Sequence, residues 1–222
     1  MRPIRFWLVA LIGLLSAVGG AQQSSFPRFI LSEGKIQDDT PVSGAKLCLL
    51  EKRNICYQMP PHEMPGSGNL IYQFGLDPRS ERLSLADGGS WVFFSATFSG
   101  GGSGTLERIA VLRYEGAAAT EKIVNLLPFV GATNVSERAM WTVGSASPYP
   151  ILVHADFIWE EGEPHFGPHF YTVEAWRFDP KSDHYLKAFS YRTTKKYGSE
   201  DDKPAHILAS ERQEIVRRLE AP

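Results

Sequence analysis

Hydrophobic and polar positions alternate along most of this chain with the two-residue period of β-strands. In "HFYTVEAWRF", 169–178, Phe170, Thr172, Glu174, Trp176 and Phe178 fall on one side, and Tyr171, Val173, Ala175 and Arg177 on the other. In "WVFFSATF", 91–98, apolar residues occupy both sides, which predicts a central strand covered on both faces. Segments rich in Val, Ile, Phe, Tyr, Trp and Thr predict strands at 46–51, 54–59, 69–74, 82–86, 91–98, 107–115, 121–127, 138–143, 150–158, 169–179 and 184–193. The clusters between them, such as "PPHEMPGSG", "LADGGS", "SGGGSG", "SASPYP" and "DPKSD", are turn-forming. No helical period interrupts this series. The expected fold is mainly β, with antiparallel sheets arranged as a sandwich, a barrel or propeller-blade-like hairpin repeats.

The C-terminus differs. "LASERQEIVRRLEA" predicts a short C-terminal α-helix, with Ser210 as N-cap and Gln213 completing a capping box. Ile215, Val216 and Leu219 form its buried stripe, and Arg217 and Arg218 suit the negative end of the helix dipole.

Two stretches resemble each other. "WVFFSATFSGGGSGTLERIAVLRYEG" lies over "PILVHADFIWEEGEPHFGPHFYTVEAWRFDP", matching Ala96 with Ala155 and Arg113-Tyr114 with Arg177-Phe178. The second loop is five residues longer. An internal repeat at this period suggests propeller blades, although two or three blades do not close a ring.

The N-terminus bears on the compartment. Arg2 and Arg5 precede an uncharged run, Phe6 to Leu15, and small residues follow it. This order predicts a secretory signal peptide, 1–21, a flexible lead, 22–27, and one β-rich domain, 28–222. The run is shorter than the roughly 20 residues a bilayer span requires, so no membrane span is expected after cleavage. Removal of two Arg and no acid shifts the formal charge from −2 to −4. A mildly acidic chain argues against nucleic acid as a partner. Secretion or residence in a periplasm favours a bridge between Cys48 and Cys56, which a hairpin turn centred on Lys52 sets directly opposite each other.

The candidate chemistry gathers in "EEGEPHFGPHF", 160–170. His165 and His169 are four apart, but Pro164, Gly167 and Pro168 exclude a helix there, and the H-E-x-x-H order is missing. A loop ligand set remains: His154, Asp156, His165 and His169, with Glu160, Glu161 and Glu163 nearby. His154 and Asp156 point to the same face of a strand. Such a set suits zinc, or calcium through its carboxylates, and would serve a metal-assisted hydrolase. The same carboxylates and Glu174 supply material for a glycosidase acid–base pair. "SGGGSGT", 99–105, lacks the Gly-Lys-Ser/Thr ending of a phosphate loop and reads as a turn.

Aromatics suggest a different use. Trp91, Trp141 and Trp176 are expected in the core, whereas Trp159 and Phe166 flank the charged loop and are expected to be exposed. No motif assembles a nucleophile, its base and an orienting group. The favoured expectation is a non-enzymatic, exported binding module without a cofactor. Its contact residues would be Trp159, Glu163, His165, Phe166 and His169, on a face shared with 99–105, and its partner a protein or glycan of the envelope or exterior. The alternatives are the metal-assisted hydrolase and a purely structural envelope protein.

Overall fold

A computed structural model describes residues 26–37, 40–63, 71–99, 105–116, 120–132, 136–164, 167–198 and 206–221. The predicted signal peptide, most of the predicted lead, and His165 and Phe166 lie outside them. The described strands are β1 (Phe29–Ser32), β2 (Ile36–Gln37), β3 (Thr40–Pro41), β4 (Lys46–Leu49), β5 (Cys56–Gln58), β6 (Pro61–Glu63), β7 (Ile71–Gln73), β8 (Leu76–Ser84), β9 (Ser90–Ser99), β10 (Thr105–Glu115), β11 (Lys122–Ala132), β12 (Glu137–Trp141), β13 (Ile151–Ile158), β14 (Phe170–Asp179) and β15 (His184–Arg192). Two short helices follow, α1 (Ile207–Ser210) and α2 (Arg212–Glu220).

Among the described residues every strand pairing is antiparallel, and they form a mainly β fold without a closed barrel. The first sheet has the order β1-β4-β5. The second, β8 to β11, and the third, β12 to β15, are four-stranded meanders in which neighbours in sequence are neighbours in space. The pairs β2-β3 and β6-β7 are small hairpins.

The sheets stack face to face in chain order, because each strand with two apolar faces must bury both. On β9, Val92, Phe94 and Ala96 pack with Ala45, Leu47 and Met59 around the first sheet. Trp91 and Phe93, on its opposite face, pack with Leu152, Phe178 and Tyr185 of the third sheet. The far face of the third sheet, through Val153, Ala155, Tyr171, Val173 and Ala175, receives Ile207, Leu208, Ile215 and Leu219 of the helices. Each fully buried large side chain in these layers contributes about 1.5–3 kcal/mol.

The second and third sheets share a register detail. Val111 pairs with Leu127 and Leu112 with Asn125, leaving Leu126 as the extra residue on β11. Ala175 pairs with Phe189 and Trp176 with Lys187, leaving Ala188 as the extra residue on β15. In each sheet one pair follows the bulge, and the next is that of an arginine, Arg113 or Arg177. Arg113 reaches across to Asp183, in the β14–β15 turn, through two bonds of 2.6 and 2.7 Å. Arg177 instead donates to the carbonyls of Ala146 and Leu219, at 2.5 and 3.3 Å, satisfying an acceptor at the open end of α2.

Cys48 and Cys56 form the expected disulfide between directly opposed positions of β4 and β5. Several expectations need correction. β11 runs to Ala132, beyond the predicted end at 127, and β8 begins at Leu76, ahead of the predicted 82. The short β1, β2, β3 and β6 carry too few residues for alternation to register. The capping box does not form: Ser210 ends α1, and Glu211 precedes α2 without a side-chain cap. Glu211 is instead engaged by the hydroxyls of Tyr191, at 2.9 Å, and Tyr197. Phe26, assigned to the flexible lead by sequence, packs against the first core layer.

Candidate functional site

β13 leaves the third sheet at Ile158, and the chain turns through Gly162, whose φ of +82° suits a residue without Cβ. This turn returns Glu163 toward Glu160. The Glu160 N–H donates to Glu163 Oε2 at 3.0 Å, and the Glu163 N–H donates to the Glu160 carbonyl at 3.2 Å. His169 Nδ1 lies 2.9 Å from the same Oε2, and the Lys196 ammonium donates to Oε1. His169 is held in turn by exchanging backbone hydrogen bonds with Tyr197, at 2.9 and 2.7 Å. Lys196 first, then the Glu160 N–H and His169, hold the Glu163 carboxyl at about 2. Arg192 pairs with Glu160, which also lies 3.5 Å from Lys196.

The charged loop is therefore a wired corner. Trp159 stands beside it and is 54% exposed, with ring centres 6.0 Å from Phe157 and 6.3 Å from His169. His169 itself is buried. The indole thus stands exposed beside charges that are already held by their partners.

Of the metal ligands expected from sequence, His165 lies outside the described residues, and His169 lies on the opposite face of the third sheet from His154 and Asp156. His154 faces the second sheet, with its ring 4.7 Å from Phe129. His169 contacts Phe157, on the face that receives the helices. The cause is pleating: Ile158 pairs with Phe170, which sets His169 in phase with Tyr171 and Val173, opposite to the phase of His154 and Asp156. Among the described residues, no group of three or more His, Cys, Asp or Glu is placed to hold a metal ion. Glu174 is paired with Lys187 at 2.6 Å. Burial, aided by Glu174, raises the Asp156 carboxyl against the Phe157 N–H bond that lowers it.

A second polar site escaped the sequence reading. At one end of the layer between the second and third sheets the packing opens into a cleft of about 280 Å³. On one wall Glu107 pairs directly with Gly131 across β10 and β11. On the other, Arg138 pairs directly with His154 across β12 and β13. Arg138 closes the gap with a two-pronged ion pair to Glu107 through Nε and Nη2, and its guanidinium lies 5.1 Å from the centre of the Phe93 ring. The Glu107 side chain retains only 6% exposure, against 30% for Arg138. His154 is 5% exposed, and its Nε2 is buried without a hydrogen-bond partner. Burial, opposed by Glu174 and reinforced by Arg138, holds the imidazole at about 4, so it is neutral at pH 7.

One signal for this site was present in the sequence. Glu107 is in phase with Ile109 and Val111, so strand alternation buries it, and a buried acid requires a partner. Nothing local identifies Arg138 as that partner, because it lies 31 residues away on another sheet. Comparisons with protein-family models, curated proteins and solved structures gave no match.

Proposed function

We propose that this protein is an exported, non-catalytic binding module that engages a protein or glycan of the envelope or exterior through the outer end of the β13–β14 hairpin. The observation that carries this reading is the 54% exposure of Trp159 beside a charged corner whose Glu160 and Glu163 are already fixed by Arg192 and Lys196. A purely structural protein gains nothing from an indole that is 54% exposed. Binding gains from it, because a rigid ring flanked by ordered charges loses little entropy on contact.

Two further features are consistent with export and modular construction. The Cys48–Cys56 bridge suits an oxidising compartment, and no helix among the described residues is long and apolar enough to cross a membrane. The two four-stranded meanders, with equivalent bulges ahead of Arg113 and Arg177, support reading β8–β11 and β12–β15 as repeated units.

The test is site-specific photocrosslinking in the producing cell. A benzophenone side chain replaces Trp159 in one variant and Leu186 in another, Leu186 being comparably exposed at 51% on β15. Soluble glycan arrays are run in parallel with the wild type and Trp159→Ala. The expected result is a discrete conjugate from position 159 alone, or array binding that Trp159→Ala abolishes. Equal labelling from both positions, with no Trp159-dependent array signal, would remove the proposal.

A further inference from the structure

We propose that the cleft between the second and third sheets is a separate binding site for a neutral polyhydroxy compound of about the size of one sugar ring. The argument starts from its charge. Glu107 and Arg138 neutralise each other across the cleft, Glu137, also in the lining, spends its carboxylate on the Leu208 N–H of α1, and His154 is uncharged at pH 7. A carboxylate or phosphate would meet Glu107, and an ammonium would meet Arg138. A ligand without net charge meets neither penalty.

The hydrogen-bonding inventory narrows the class. Glu107 occupies Nε and Nη2 of Arg138, which leaves Nη1 as a donor. His154 Nε2 is a buried ring nitrogen without a partner. Ser136, also in the lining, both donates and accepts. A set of mixed donors and acceptors suits hydroxyl groups, each of which donates once and accepts. Phe129 supplies an apolar wall, of the kind against which the C–H face of a sugar packs.

Gly131 keeps this arrangement open. A Cβ there would lie 3.1 Å from His154 Nε2 and 3.0 Å from Phe129 Cε1, so any side chain would crowd both groups. A buried nitrogen left without a hydrogen bond is destabilising. A ligand hydroxyl that supplies its missing bond recovers part of that cost. The site is on the face of the third sheet opposite to His169 and does not depend on the role of Trp159.

The experiment is a titration of the oxidised mature chain at pH 7.5 with D-glucose, D-galactose and myo-inositol, followed through the His154 ring resonances by NMR. Glucosamine and glucuronate serve as charged counterparts. The expected result is a saturable shift of His154 with at least one neutral compound, with a Kd on the order of millimolar, as befits a few hydrogen bonds. Gly131→Ala should abolish it. Ser136→Ala, which removes one hydroxyl from the lining, should weaken it several-fold and serves as the second variant if Gly131→Ala does not fold. No saturable shift with any neutral compound, or a shift with the charged compounds alone, would overturn the proposal. A shift that survives both substitutions would overturn it as well. The Trp159 resonances, read in the same spectra, separate this outcome from contact at the outer hairpin.

Discussion

Replacing His154 by Leu should remove most of one acid-dependent contribution to stability. The imidazole is 5% exposed, lies edge-on to Phe129 at 4.7 Å, and is faced by Arg138 on β12 and Glu174 on β14, with Glu107 across the cleft. Its folded pKa of about 4 lies below the ordinary 6.5. Between these values the unfolded chain holds a proton that the folded chain refuses. Stability from this group is therefore complete above about pH 6.5, falls as the pH drops, and levels off below about 4. At about 1.4 kcal/mol per pH unit, the gap corresponds to about 3 kcal/mol. The assay is urea denaturation of the wild type and His154→Leu at closely spaced pH values from 7.5 to 3.5. The difference between the two isolates His154 from the other titrating groups. Asp156, with its carboxyl raised, works in the opposite direction over part of this range and is present in both proteins. Leu also removes the partnerless Nε2, so the variant should equal or exceed the wild type at pH 7.5 and gain a further ~3 kcal/mol relative to it at pH 4. A difference that stays flat with pH, or a His154 NMR titration centred near 6.5, would refute the reasoning.

Three further outcomes follow from the same structure. In a double-mutant cycle with Glu107→Leu and Arg138→Leu, the coupling should be about 1–3 kcal/mol, below that of a fully enclosed pair because Arg138 keeps 30% exposure; urea denaturation of all four proteins measures it. Reducing the Cys48–Cys56 bridge should lower stability by about 2–3 kcal/mol, since the closed loop is short, as read by thermal melts with and without reductant. Lys196→Met should move the Glu163 carboxyl up from about 2 toward the ordinary carboxylate range, visible in carboxyl carbon NMR titrations, because Lys196 is the foremost cause of its depression. In the wild type, the stability from Glu163 is present above that ordinary range and is lost as the pH falls toward 2; in the variant that loss should begin and end at higher pH.

Local pattern was enough for much of the architecture. Alternation in 169–178 and the doubly apolar 91–98 follow from a period of two. The faces they assign recur in the structure, with Tyr171, Val173 and Ala175 turned to the helices and β9 buried on both sides. The opposed pair Cys48 and Cys56 and the buried stripe of Ile215 and Leu219 were legible for the same reason: each depends on spacing within a single hairpin or helix. The capping box failed because a tertiary contact competed with it. Glu211 is bound by Tyr191 and Tyr197, and the helix begins anew after it.

The chemistry was another matter. His154, Asp156 and His169 lie close in sequence, yet a shift of one residue in strand phase sends His169 to the opposite face of the sheet. Conversely, Glu107 and Arg138 are far apart in sequence and meet only because the second and third sheets stack. The sequence by itself determined the longer strands, their buried faces, the bridge and the helical C-terminus, since these obey the geometry of consecutive residues, whereas the short β1, β2, β3 and β6 left no pattern to read. Which charges meet, which imidazole is left with an unpartnered nitrogen, and where a cleft opens were decided by the packing of one sheet on the next, and sequence spacing carries no record of that.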